Sequence, residues 1–343
     1  MTIDTQADTR LDPRLRAILS MLPQTNPGDV NSREELIAEA NGAAAVEARD
    51  AFQAVMDLCD TDEFAPSAGL VVTTEQFQSQ PDGNDVNLLI TRPDTDDELP
   101  CVYYIHGGGM AALSCFDGMY RGWAKLIAAN GVSVIAVDFR NSVSPSSSPE
   151  VAPFPAGLND CVSGLRWVAS RTDAFRVDPN RIVVAGESGG GNLTLATGLR
   201  LLRDGDIGLV KGLYALCPYI AGQWPCPESP SSTENEGILL YLHNNRGRVG
   251  YGIEAFERHD PLAWPSFAGV DDVAGFPPTV ISVNECDPLR DEGINFYRLL
   301  LQAGVPARSR QVMGTMHGTE IFTIACPDIS RDTARDLAGF ARA

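Results

Sequence analysis

The sequence predicts an α/β protein: a mostly parallel, eight-stranded sheet flanked by helices, with a helical cap. Three observations predict it. Eight apolar, β-branched or aromatic runs of strand length recur along the 343 residues. From residue 101 onward a helix-length amphipathic segment follows each run, as expected of a parallel sheet covered on both faces. Two polar, irregular stretches break that alternation and fall outside the sheet.

The first two runs, VVTTEQF (71–77) and DVNLLITR (85–92), alternate in polarity around the turn signal PDGND and predict an antiparallel hairpin. The others are CVYYIH (101–106), VSVIAVDF (132–139), RIVVAGE (181–187), GLYALCPY (212–219), TVISVNE (279–285) and ARSRQVM (307–313). Between them lie MYRGWAKLIAAN, AGLNDCVSGLRWVAS, GGNLTLATGLRLLRD and RDEGINFYRLLLQAG, all of helix length. The prolines and serines of SVSPSSSPEVAPFP (142–155) mark a loop.

Residues 1–60 hold a helical stretch from Ser32 to Cys59, opened by a capping box of Ser32 with Glu35. Residues 220–258 hold the Pro-, Ser- and Glu-rich GQWPCPESPSSTENEG and the apolar GILLYLHN. These two segments are expected to build the cap, over a core formed by 61–219 and 259–343.

Composition narrows the function. With 44% hydrophobic and 21% charged residues the chain can bury a sizeable core without disulfides or metals. No stretch approaches the roughly 18 consecutive apolar residues of a membrane span. The N-terminus lacks the layout of a secretory signal, so a cytoplasmic location is expected. A net charge of −19 repels nucleic-acid phosphates and anionic membranes, which argues against either as a partner. The acids are scattered and say little about the substrate. The eight cysteines show no CxxC and no zinc-like pairing with histidine; they are expected to be small buried hydrophobes, with no metal and no cofactor.

The chemistry concentrates in Gly186-Glu187-Ser188-Gly189-Gly190, directly after a strand run and directly before a helical one. In G-x-S-x-G a sharp strand-to-helix turn strains the serine backbone and lifts its hydroxyl above the sheet at a helix N-terminus. Glycines flank it because a Cβ there would collide with neighbouring chain. A serine hydroxyl needs a base. Of the histidines after residue 188, His243 lies in the cap-like insert and His259 in an irregular stretch. Only His317 stands in a loop at a strand's carboxyl end. Asp287, one strand earlier, is the expected orienting acid, ahead of Glu285; Asp291 and Glu292 fall in a helix's first turn and suit its dipole. His106-Gly107-Gly108-Gly109 follows the third strand, where bare N–H groups can meet a developing oxyanion together with Gly189.

HGGG at 106–109, GESGG at 186–190, DPLRDEG at 287–293 and the closing HG at 317–318 resemble the bacterial hormone-sensitive-lipase-like carboxylesterases, across roughly residues 100–320. That resemblance implies the α/β-hydrolase fold and hydrolysis of short- to medium-chain carboxylic esters through an acyl-enzyme, without a cofactor. It assigns the nucleophile to Ser188, the acid to Asp287, the base to His317 and the oxyanion donors to Gly108, Gly109 and Gly189. His106 and Glu187 are supporting residues, His106 as a brace of the oxyanion loop. The resemblance is compatible with a homodimer. Two departures stand out: Glu187 and Gly189 replace the family's commoner Asp and Ala, and the 141–155 loop is lengthened. An amide or lactone bond would use the same machinery. A non-catalytic receptor on this fold typically lacks the histidine, which this chain has.

Overall fold

A computed structural model describes residues 8–21 and 27–343. Its eight strands are β1 (Leu70–Gln78), β2 (Asp85–Pro93), β3 (Leu99–Ile105), β4 (Ser133–Asp138), β5 (Val177–Glu187), β6 (Gly212–Leu216), β7 (Thr279–Asn284) and β8 (Ala307–Val312). They form one sheet in the order β1-β2-β4-β3-β5-β6-β7-β8. β2 pairs antiparallel with β1 and β4; every other pairing is parallel. The expected mostly parallel eight-stranded sheet is therefore present, hairpin included.

The helices in the first half of the chain are α1 (Pro13–Leu19), α2 (Arg33–Ala40), α3 (Ala43–Met56), α4 (Gly118–Ala128), α5 (Ala156–Ala169) and the short α6 (Thr172–Phe175). The second half adds α7 (Gly189–Asp204), α8 (Ser231–Glu234), α9 (Arg246–Glu257), α10 (Val270–Val273), α11 (Arg290–Gln302) and α12 (Pro327–Arg342). None among the described residues is long and apolar enough to cross a membrane.

Period-two side-chain geometry explains why β3 is apolar or aromatic on both faces. Along β3, Cys101, Tyr103 and Ile105 join the core under α5, α7 and α11, while Val102 and Tyr104 join the core under α4 and α12. Both faces of β3 are buried.

The stretch from Ser32 to Cys59 is not one helix. It breaks at Asn41-Gly42 into α2 and α3, followed by a 3₁₀ turn over Asp57–Asp60. The physical reason is local: the Asn41 side chain donates to the Ile37 carbonyl at 2.8 Å, ending the helix as an asparagine commonly does. The capping box is also shifted. Ser32 Oγ accepts the Glu35 N–H at 3.2 Å, but the Glu35 carboxylate accepts from Asn31, at 2.7 Å from its N–H.

The two segments outside the sheet meet each other. Asn245, just before α9, exchanges hydrogen bonds with the Val30 backbone at 2.9 and 2.8 Å, and Arg246 pairs with Glu39. In contrast, α1 packs Leu11, Leu15 and Leu19 against Ile238, Cys286 and Met316, and the Asp12 N–H donates to the Gly314 carbonyl at 2.9 Å. The first helix thus braces the loops that follow β7 and β8.

Candidate active site

The sheet delivers its reactive side chains along one edge. His106, Ser188, Cys217, Asp287 and His317 follow the carboxyl ends of β3, β5, β6, β7 and β8, which are neighbours in the sheet. Ligand sites of open α/β sheets lie at that edge.

Ser188 sits between β5 and α7 with φ 56° and ψ −118°, a strained conformation for a residue with a Cβ. Its N–H donates to the Leu216 carbonyl at 3.0 Å and its carbonyl accepts from Tyr219 at 3.1 Å, which pins the turn to β6. A Cβ on Gly186 would lie 2.4 Å from the Gly190 oxygen, and one on Gly190 would lie 2.0 Å from the Ile105 oxygen. The glycines are there for close packing of backbone on backbone. The serine also occupies the cap position of α7, where the helix's positive end favours a developing anion.

His317 lies in the loop between β8 and α12, and its Nδ1 is 2.8 Å from Asp287 Oδ2. Asp287 is fully buried; its other oxygen accepts the Leu289 N–H at 2.9 Å. Burial on its own would push the His317 imidazole down, but the Asp287 carboxylate outweighs it and holds the ring well above its ordinary value. Nδ1 thus carries the proton toward Asp287, leaving Nε2 as the basic nitrogen. Ser188 and His317 keep 7% and 6% of their surfaces exposed. No hydrogen bond joins them among the described residues, in keeping with catalytic contacts that tighten only when substrate is bound.

Glu285 does not orient the imidazole; it accepts the Gly314 N–H at 2.7 Å and holds the histidine loop. His243 contacts the Ser232 carbonyl at 2.8 Å, and His259 packs on Phe267. The 2.8 Å contact joins His317 to Asp287, the pair expected from the sequence.

The loop after β3 brings Gly108 and Gly109 beside the elbow with φ of 86° and 63°, values that favour glycine. The N–H groups of Gly108, Gly109 and Gly189 are uncommitted to hydrogen bonds among the described residues. A Cβ on Gly189 would stand 2.5 Å from the Met110 nitrogen and 2.8 Å from the Gly109 nitrogen. This explains glycine here: the loop carrying Gly109 and Met110 presses directly on the elbow.

His106 is fully buried, stacks on Phe139 at 4.3 Å and holds the Gly107 carbonyl at 3.0 Å through Nδ1. Burial pushes it down, so the ring is neutral and Nδ1–H is the donor. Glu187 is buried against the Gly107 backbone and reaches the Tyr120 hydroxyl, which accepts the Gly107 N–H at 2.9 Å. The lengthened loop is held from below by Asp138, which accepts from the Ser147 N–H at 2.7 Å and from the Cys115 N–H at 2.9 Å.

A cavity of 430 Å³ opens beside Gly109, walled by Leu36, Ala40, Ala111, Val143 and Tyr219 with Arg246 and Glu39 at its rim. A larger one of 590 Å³ lies among Phe256, Phe267 and Phe296; neither cavity is lined by Ser188, Asp287 or His317, but only the smaller of the two reaches Gly109.

Several residues here carry no signal in the sequence. Tyr120 and Tyr219 belong to no motif. Asn192, inside GESGGGN, bridges the Tyr219 and Ala263 carbonyls at 2.9 and 3.0 Å. Glu292, expected to face its helix dipole, is instead buried and accepts from the Ile220 and Ala221 N–H groups and from Trp224. The Cys217 thiol, the Asp287 carboxylate and a His317 ring nitrogen all lie within 4.8 Å of one another, a juxtaposition no local pattern announces.

Residues 102–321 match the family model described as the alpha/beta hydrolase fold. The chain belongs to the α/β-hydrolase family. Within it, the chain is 30% identical to Carboxylesterase NlhH of Mycobacterium tuberculosis (strain ATCC 25618 / H37Rv), across 100% of this chain and 99% of that protein. Among solved structures, esterase Est22 superposes with a TM-score of 0.98 at 61% identity, covering 100% of both chains. Brefeldin A esterase, described as a bacterial homologue of human hormone sensitive lipase, superposes at 0.86 with 34% identity over 98% of this chain and 94% of its own. The likeness to hormone-sensitive-lipase-like carboxylesterases is thereby borne out.

Proposed function

We propose that Ser188, Asp287 and His317 are the catalytic triad of this carboxylesterase, with Gly108, Gly109 and Gly189 as its oxyanion donors. The observation that carries this reading is the 2.8 Å contact of Asp287 with His317 Nδ1, at the same sheet edge as a strained serine at a helix N-terminus. In the proposed cycle the ester carbonyl meets the three N–H groups, Ser188 attacks and His317 takes its proton. The protonated ring then returns that proton to the departing alcohol. Water, activated by the same histidine, attacks the acyl-Ser188 ester and releases the acid. Asp287 orients the ring and stabilises its cationic form throughout.

The substrate is a small ester with a short- to medium-length acyl chain, for which the apolar 430 Å³ cavity beside Gly109 supplies the space. An Est22 structure with p-nitrophenol, at 62% identity, supports an aryl alcohol as one acceptable leaving group. We assign α2, α3 and residues 220–258 to a cap over this cavity, since the two segments join through Asn245 and Arg246. The eight unpaired cysteines, seven of them buried, suit a reducing cytoplasm. No cofactor enters the cycle.

The test is hydrolysis of p-nitrophenyl butyrate beside the matched anilide. The wild type should turn over the ester faster by orders of magnitude, and Ser188→Ala should abolish turnover while folding normally. A faster anilide would make the enzyme an amidase.

A further inference from the structure

We propose that Cys217, Asp287 and His317 form a binding site for a soft divalent cation such as Zn²⁺, and that its occupation switches hydrolysis off. The donors are already gathered in the fold. Thiol sulfur, carboxylate oxygen and imidazole nitrogen lie within 4.8 Å of one another, and all three residues are buried. Cys217 follows β6 directly and its N–H donates to Ser282 of β7 at 2.7 Å, so the thiol is held on the same framework as Asp287. The proposed hydrolytic cycle gives this thiol no role.

The donor set decides the kind of ion. One sulfur, one nitrogen and one oxygen suit zinc or cadmium, while magnesium and calcium prefer oxygen alone. Zinc sits about 2.3 Å from sulfur and about 2.0–2.2 Å from nitrogen or oxygen, which sets tetrahedral donors roughly 3.3–3.8 Å apart. The longest separation here must shrink by about 1 Å or less, and the 2.8 Å contact of Asp287 with His317 must open slightly. Side-chain rotation supplies both. Water takes the fourth position, and the ion enters where Ser188 and His317 remain partly exposed.

Inhibition follows from proton bookkeeping alone. Binding exchanges the Cys217 thiol proton for the ion and releases that proton to water. If the metal takes Nε2, the lone pair that would accept the serine proton is occupied. If it takes Nδ1, the ring's proton moves to Nε2, which then has no free lone pair. Either way the base is lost and the fold is kept.

The experiment compares wild type with Cys217→Ser and Cys217→Ala, using zinc chloride on p-nitrophenyl butyrate hydrolysis and cadmium chloride in ultraviolet absorbance. Both variants retain the triad and should turn over ester; Ser is the near-isosteric form should Ala disturb packing. Zinc should inhibit the wild type, EDTA should restore it, and magnesium should do nothing. Each variant should need at least about tenfold more zinc, the loss expected even of an outer-shell partner. Cadmium should produce a thiolate charge-transfer band in the wild type that both variants lack. Equal zinc sensitivity in wild type and variants, or a wild type insensitive to zinc, would overturn the proposal. So would inhibition by cadmium without the band.

Discussion

Both carboxylate oxygens of Glu187 lie 3.3 Å from the Tyr120 hydroxyl, and that hydroxyl accepts the Gly107 N–H at 2.9 Å. The residue before the nucleophile is thus tied, through one phenol, to the loop that carries Gly108 and Gly109. Burial pushes the Glu187 carboxyl up to about 8, against the opposing pull of His317 and Tyr120 and with help from Glu320. Around neutral pH it is the uncharged acid.

As pH rises through about 8, Glu187 ionises beside the proposed oxyanion donors and His317. A negative charge there opposes a developing oxyanion and favours the protonated, inactive imidazole. kcat/KM should therefore fall on the alkaline side, and Glu187→Gln should keep its activity there. A pH–rate profile of the two proteins checks it; an unchanged alkaline limb in the glutamine variant contradicts it.

In the proposed cycle the acid limb belongs to His317. Its raised value means the base becomes neutral, and turnover rises, only as pH climbs past the ordinary imidazole range. Asp287→Asn removes the largest influence opposing burial, leaving only Cys217 against it, so the limb should move to lower pH. Turnover should drop by on the order of 10⁴, as expected when the imidazole loses its orienting charge. The same pH series, run on this variant, reads both effects.

Gly189→Ala places a methyl 2.5 Å from the Met110 nitrogen. The oxyanion loop must retreat, and losing the alignment of one donor costs on the order of 10² in kcat. Ester KM should change far less, because the cavity walls stay in place. Steady-state kinetics with p-nitrophenyl butyrate separates the two constants.

Substrate size should be set by the cavity beside Gly109. Ala40→Trp projects a large ring into its wall and should depress kcat/KM for octanoate esters at least tenfold more than for acetate, roughly the discrimination a few methylenes provide. A p-nitrophenyl ester series of increasing chain length measures the shift.

The sheet is legible in the sequence because its signal is local and periodic. Each of the eight runs coincides with a strand to within a few residues, and the elbow stands out because G-x-S-x-G lies between a strand run and a helical one. His317 and Asp287 follow by elimination, each at a strand's carboxyl end. What stays hidden is tertiary. Tyr120 meets Glu187 across 67 residues, and Cys217 reaches the triad only because β6 lies beside β7 in the sheet. No spacing encodes such a meeting. The break at Asn41-Gly42 carries a stop signal, but the helical pattern on both sides of it masks that signal. Glu292 departs from its expected place because its partners, Ile220 and Trp224, are about 70 residues upstream.

The most direct measurement is covalent labelling with a fluorophosphonate, followed by mass mapping of the modified peptide. One label per chain should appear on the peptide holding Ser188, and labelling and turnover should vanish together in Ser188→Ala. A label on another residue, or a Ser188→Ala protein that still hydrolyses p-nitrophenyl butyrate at the wild-type rate, would contradict the account.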